Sequence, residues 1–442
     1  RRPTEASPGG MNQLVRPFYL AAGLAAQAAA SVIPSGGGKL RRSLAARRGA
    51  VERFERWATN GRDPARPLCW VHAPSVGEGL QARPVLEQLR HMRPELQLAY
   101  TYFSPSAADF SRRLDVDFVD VLPFDTARGA DRLLDALRPT ALVFSKLDVW
   151  PMLAERAARV GVGLGLISAT LPESSSRLRG LSPLLLRDAY SALDAVGAIS
   201  ETDAHRLIEL GCSPAAVSVT GDTRFDQVWD RAAAADRSGS LLAPLRSTRP
   251  TLVAGSTWPA DERVLLPAVA ELRRASPELR LVIAPHEPHA GHVAPLERWG
   301  HASGARVTRL GAPDAGSADV VVVDRVGVLG ELYALADIAF VGGAFHGAGI
   351  HSVLEPAAYG VPIVFGPRHA NSREASLLIS AGAACEASDA DQLRAALAGW
   401  IGDLSARRSA GLAARALVEN HRGATARSVA LIEGLLAAGG GV

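Results

Sequence analysis

Short apolar runs that alternate with helix-patterned stretches, through the chain and in two series, constrain this sequence more than any other feature. Between Pro67 and Asp222 the runs Leu68 to His72, Leu96 to Phe103, Phe118 to Leu122, Ala141 to Phe144, Gly163 to Ile167, Ala195 to Ile199 and Val217 to Thr220 read as strands. Pro151 to Val160 and Glu201 to Leu210 are among the helices between them. A second series reads Thr251 to Ala254, Leu279 to Ala284, Val320 to Val323, Ile338 to Val341, Pro362 to Phe365 and Ala383 to Glu386. Alternation of this kind predicts mostly parallel sheets covered on both faces, in an α/β protein of two doubly wound domains with a cleft between them. The stretch Ala232 to Pro250, small, polar and proline-punctuated, reads as a linker. The expected boundaries are 1–40 for an N-terminal extension, 41–232 and 251–420 for the domains, 233–250 for the linker and 421–442 for a closing helix.

Open α/β sheets bind ligands beyond the carboxyl ends of their strands, so those ends were read for chemistry. After the first strand stands "APSVGEGLQA", where Ser75 followed by Glu78 matches an S-x-x-E capping box. The cap alone explains both residues; a carboxylate at a strand's carboxyl end, beside Gly77, also suits catalysis. In the second series "AGSTWPADE" presents Ser256 and Thr257, and "VIAPHEPH" presents Pro285, His286 and Glu287. The glycine-dense stretch from Gly342 and Gly343 to Gly349 leads to a helix expected near Ile350 to Ser352. Free N–H groups at such a start make an anion site, suited to a nucleotide phosphate, with Glu355 one turn in to reach a ribose. Close packing explains the glycines equally well. Neither a P-loop nor a G-x-G-x-x-G fingerprint is present.

Several classes are disfavoured. Aromatic residues make up 5% of the chain and net charge is +3, with no basic and aromatic interleaving, so nucleic acid is not an expected partner. Cys69, Cys212 and Cys385 are far apart and odd in number, which fits a reducing compartment. The histidines His286, His289 and His292 form the nearest approach to a metal cluster, but prolines and a glycine interrupt them, and no metal is expected. Residues 1–10 precede the first methionine and read as an upstream extension. The uncharged run Phe18 to Ile33, followed by Arg41, Arg42, Arg47 and Arg48, is short for a membrane span. It reads either as a signal peptide or as an interfacial anchor whose arginines meet anionic lipid.

Seven segments in order, "WVHAPSVGEGLQA", "TYFSPSA", "VTGDTRFD", "AGSTWPADE", "VVDRVGVLGELYALADIAFVGGAF", "GIHSVLEPAAYGVPIVFGP" and "HANSREA" with Asn371, resemble the 3-deoxy-D-manno-octulosonate (Kdo) transferases of lipopolysaccharide synthesis. The resemblance runs from about residue 40 to residue 420. It implies a GT-B fold and an inverting transfer of Kdo from CMP-Kdo to a lipid A precursor (lipid IVA), without metal or other cofactor, at the cytoplasmic face of the inner membrane. It assigns Glu78 as catalytic base. It carries CMP contacts to Ser256, Thr257, Pro285, His286, Glu287, Gly342, Gly343, His351, Ser352, Glu355 and Asn371.

Three motifs depart from the commoner pattern. Pro285-His286-Glu287 stands for P-R-H, Gly349-Ile350-His351-Ser352 for G-G-H-N, and Lys146-Leu147-Asp148-Val149-Trp150-Pro151 for E-x-E-x-W-P. Of 48 basic residues only Lys39 and Lys146 are lysine, so Lys146 stands out; it is read as an ion-pair partner of Asp148 or another acid, or, with Ser75, as a contact for an anionic group of donor or acceptor. The rival readings are another GT-B nucleotide-sugar transferase or epimerase and, from a different class, a periplasmic two-lobe binding protein.

Overall fold

Fourteen strands form among the residues described by the computed structural model of the chain, 16–32 and 38–439. They build two seven-stranded sheets, parallel throughout. The chain divides into two compact units, the first holding residues up to Arg224 together with those from Arg422 onward, the second Phe225–His421.

In unit 1 the strands are β1 Leu68–His72, β2 Gln97–Tyr102, β3 Phe118–Val121, β4 Ala141–Ser145, β5 Gly163–Ala169, β6 Ala195–Ala198 and β7 Val217–Val219, in the order β3-β2-β1-β4-β5-β6-β7. Their side chains alternate between two apolar layers: Leu68 and Trp70 of β1 enter one, Cys69 and Val71 the other. Both faces are covered, which is why β1 and β4 are buried at every position. The order reverses between β1 and β4, whose ends align with His72 opposite Phe144. Residues just past these two ends therefore meet at the switch point where such sheets take ligands.

Unit 2 repeats the plan with β8 Thr251–Thr257, β9 Arg280–Pro285, β10 Val307–Arg309, β11 Val320–Val322, β12 Ile338–Val341, β13 Ile363–Phe365 and β14 Ala384–Glu386, ordered β10-β11-β9-β8-β12-β13-β14. Its switch point lies between β8 and β12. The three-residue edge strand β10 was not anticipated: "VTR" is too short to carry a period.

Two boundaries differ from expectation. The stretch 232–250 is no free linker, because Leu242 and Leu245 are buried in the core of unit 2, and the buried Arg280 guanidinium donates to the carbonyls of Leu245 and, at 2.8 Å, of Ala315. Two leucines in a polar segment suffice to pin it. The helix Ala390–Gly402 stays with unit 2, where Leu393, Leu397 and Trp400 are buried. The last helix, Ala424–Gly439, instead completes unit 1, with Val429, Ile432, Leu435 and Leu436 sharing a layer with Val85, Leu86 and Leu89. Ile432→Ala should then cost about 2–5 kcal/mol of stability, the usual range for emptying a buried aliphatic site. Urea unfolding of the full chain checks this; an unchanged midpoint would show the helix to be dispensable.

The apolar N-terminal run forms the helix Arg16–Val32, and among the described residues no helix is long and apolar enough to cross a membrane. It docks on unit 1. Tyr19 donates to the Asp125 carboxylate at 2.6 Å, and Asp125, which is buried, also accepts from the N–H groups of Met152 and Leu153 at 2.8 and 2.9 Å. Arg16 pairs with Glu155 at 3.0 Å. The expected extension 1–10 lies outside the described residues.

Candidate active site

Glu78 enters from β1 through the turn Ala73–Ser75, in the first turn of the helix Val76–Met92. Ser75 caps that helix by accepting from the Gly77 N–H at 3.2 Å. The reciprocal half of a capping box is replaced. The Glu78 carboxylate takes the Ser75 hydroxyl on Oε2 and the Lys146 ammonium on Oε1 at 3.3 Å. Burial alone would raise this carboxyl, but Ser75 and Lys146 outweigh it and hold Glu78 below the usual carboxylate range. The group is ionised at neutral pH, as a base must be.

Lys146 follows β4 directly and sits at φ 67°, left-handed for a residue with a side chain. Its N–H bonds the Ile167 carbonyl at 2.8 Å. The expected ion pair exists, with Glu78 as partner. Both residues line a cavity of about 360 Å³ with Asp148, Thr170 and Arg177. Asp148 is held by buried His72 at 3.2 Å, by the Trp150 indole N–H at 3.1 Å and by Arg177 at 3.7 Å. These contacts overcome burial and keep its carboxyl below the ordinary value. Sequence reading singled out Glu78 and Lys146 but missed His72 and Arg177, which carry no local motif.

The second group of expected residues gathers at the carboxyl ends of β8, β9 and β12. Ser256 is half-buried at φ 53°, a second strained position at a switch point. Beyond it four rings stack. Trp258 stacks with His346 (centroids 4.4 Å apart, planes at 4°) and with His286 (4.6 Å, 25°), and His286 also stacks with His351 (4.5 Å, 23°). The Trp258 indole N–H also bonds His351 Nε2 at 3.0 Å. Burial and then the His286 ring lower the His351 pKa, against the pull of Asp261. Glu287 and Ser352 are exposed and Pro285 is buried.

Other expected donor contacts are occupied within the protein. The Thr257 hydroxyl turns inward to Glu262 at 2.8 Å, which also takes buried His292 at 2.8 Å. His292 thus parts from His286, and His289 is exposed; among the described residues no three His, Cys, Asp or Glu side chains stand together as metal ligands would. The Asn371 amide clasps the Ile350 backbone through both its ends, at 3.1 and 3.0 Å.

Most N–H groups of the glycine loop are already satisfied within the protein. Gly342 N–H bonds the Gly255 carbonyl at 2.8 Å, and buried Asp261 accepts from Gly343 and Phe345 at 2.8 and 3.0 Å. His351 N–H bonds Gly342 O at 3.1 Å. Close packing is what the glycines serve: a Cβ on Gly343, at φ 94°, would stand 2.3 Å from the Gly349 carbonyl oxygen. The helix after the loop is Leu354–Ala358, which starts later than expected. Glu355 within it pairs with Arg231 at 3.5 Å, and burial raises its carboxyl despite that arginine.

A family model described as 3-deoxy-D-manno-octulosonic-acid transferase (kdotransferase) matches residues 47–227. A 3-deoxy-D-manno-octulosonic acid transferase of Bordetella pertussis is 31% identical over 399 residues, which cover 87% of this chain and 91% of that protein. The chain belongs to the Kdo transferase family. A Kdo transferase of Chlamydophila psittaci is also 31% identical, over 72% of this chain and 74% of its own. Among solved structures, a putative UDP-N-acetylglucosamine 2-epimerase from Listeria monocytogenes superposes with a TM-score of 0.59 at 14% identity, covering 83% of this chain and 96% of that one. At that identity the likeness concerns fold alone, the two-sheet α/β plan of GT-B proteins. As a Kdo transferase the chain is a glycosyltransferase, and the binding-protein and epimerase readings fall away. The family match spans Ser75, Glu78 and Lys146.

Proposed function

We propose that this Kdo transferase moves Kdo, with inversion, from CMP-Kdo to a lipid A precursor of lipopolysaccharide at the cytoplasmic face of the inner membrane. The observation that carries the reading is the ionised Glu78 carboxylate, lining a cavity at the switch point of unit 1 and held by Ser75 and Lys146. Glu78 takes the proton of an acceptor hydroxyl as that oxygen attacks the anomeric carbon of Kdo; the bond to the CMP phosphate breaks and CMP leaves with its electron pair. Ser256, His286, Glu287, His351, Ser352 and Glu355 are the proposed donor contacts that remain. Thr257, Asn371 and the Gly342 to Gly343 pair shape the loop around them instead.

The membrane assignment is supported by the helix Arg16–Val32, where Phe18 and Leu24 are exposed, and by exposed Arg41 and Arg42 after it. Incubation with CMP-Kdo and a tetra-acylated lipid A precursor, followed by mass spectrometry of the lipid, tests the proposal. Kdo should appear on the lipid, free CMP should form only when lipid is present, and excess EDTA should leave the rate unchanged. CMP release without acceptor would refute the acceptor assignment, and loss of rate in EDTA restored by Mg²⁺ would refute cation independence.

A further inference from the structure

Unit 1 holds a second cavity, of about 900 Å³, between the helix Arg16–Val32, the turn around Arg47 and the start of the helix Ala127–Leu137. Its volume falls within the ~300–1,000 Å³ of small-molecule sites. Leu20, Leu24, Ala30 and Phe124 give it apolar walls. Arg47 also lines it and is 5% exposed, with its Nη atoms bonded to Ser43 and Phe103 and its buried Nε left without a hydrogen-bond partner. Burial pushes this guanidinium down to about 10, so it remains a cation that gains from an incoming anion. Exposed Arg128 stands on the wall in the first turn of a helix, where the dipole favours negative charge. Glu52 lines the cavity too, with its carboxylate 3.2 Å from Arg132, which it shares with Glu55.

This cavity adjoins the Glu78 site through aromatic rings. The Arg47 guanidinium lies 3.8 Å above the Phe103 ring, Phe103 stacks on Trp150 with centroids 5.2 Å apart, and Trp150 bonds Asp148, which lines the Glu78 cavity. We propose that the larger cavity is an acceptor subsite for one acyl chain and an adjacent phosphate, the chain against Leu20 and Leu24 and the phosphate at Arg47, Arg128 and the helix start. The subsite rests on the lipid-acceptor reading above. It would hold the lipid while a sugar hydroxyl reaches Glu78.

The test measures binding without donor or turnover, by equilibrium dialysis of the full chain against dodecyl phosphate below its micelle concentration. Decyl phosphate, shorter by two methylenes, should bind about tenfold more weakly. Inorganic phosphate and dodecanol, each lacking one half of the ligand, should both bind far more weakly than dodecyl phosphate. Leu24→Asp and Arg128→Glu, at exposed positions, should each weaken dodecyl phosphate about tenfold while leaving thermal unfolding and CMP binding unchanged. Inorganic phosphate binding as well as dodecyl phosphate would reduce the cavity to an anion site and overturn the proposal, as would full affinity in both variants. A chain that binds dodecyl phosphate as expected yet transfers nothing to acylated acceptor would instead sink the lipid-acceptor reading and leave the cavity standing.

Discussion

Glu78→Gln should lower kcat by about 10² to 10⁴, the usual cost of removing a general base. The substitution keeps volume and shape, and helix capping does not depend on the carboxylate, because Ser75 takes the Gly77 N–H on its own. Lys146, 41% exposed, loses a partner but can turn its ammonium to water, so unfolding free energy should move by less than ~1 kcal/mol. The proposed donor contacts belong to unit 2, so the KM for CMP-Kdo should stay near its wild-type value while kcat collapses. That split marks an interaction made in the transition state and not in the ground state. Saturation kinetics on both substrates, with circular dichroism to confirm folding, check it. Turnover near the wild-type rate by a folded variant would take the base role from Glu78.

How much of this was legible in the sequence follows from the range of each signal. Parallel strands buried on both faces write themselves as continuous apolar runs, so thirteen of the fourteen described strands, all but the edge strand β10, could be located from composition and turn residues. The carboxyl ends of β1 and β4 could be named as well, and Glu78 and Lys146 meet there because of the strand order. What could not be read was the partner of each polar group. Asp261 sits inside "STWPADE", in the first turn of its helix, and looks like one more helix-start acid; it binds a loop more than 80 residues away, at Gly343 and Phe345. Most of the N–H groups counted as free, those of Gly342, Gly343, Ile350 and His351 among them, were already satisfied, and only tertiary contacts decide that.

The histidines give a similar lesson. His286 stands out at a strand's carboxyl end and His351 within the stretch that resembles G-G-H-N, whereas the packing of their rings with Trp258 and His346 depends on loops from β8, β9 and β12 converging. The N-terminal run shows the converse. Its apolar, uncharged composition suggested a segment apart from the fold, but the Tyr19 hydroxyl reaching buried Asp125 and the Arg16–Glu155 pair tie it to unit 1. One hydrogen bond to a carboxylate that also anchors the helix Pro151–Arg159 has no periodic signature.

Lys146→Met should move the acid limb of the pH–rate profile upward. In the wild-type site burial opposes ionisation of Glu78, while Ser75 and the Lys146 ammonium favour it and prevail. The base therefore stays ionised to a pH below the ordinary carboxylate range, and activity should be lost only as pH falls through that lowered value. Without the ammonium, burial is opposed chiefly by Ser75, the carboxyl rises, and the rate falls away at higher pH. On the alkaline plateau the loss should be small, because a carboxylate of higher pKa is the stronger base. Stability carries the same sign. A carboxyl whose folded pKa is depressed adds stability above its unfolded pKa and loses it as pH falls through the folded one, so the variant should be the weaker fold at neutral pH, and the difference should close as pH falls through the lowered wild-type value. Lys146→Arg separates the charge from its shape: keeping the cation should keep the acid limb in place, while a guanidinium too broad for the cavity would lower the rate at every pH. If Lys146 instead grips an anionic group of a substrate, Lys146→Met would raise a KM and depress the rate uniformly with pH, with the acid limb unmoved. Initial rates of both variants from acid to neutral pH, with saturating and limiting substrate, decide between the two roles.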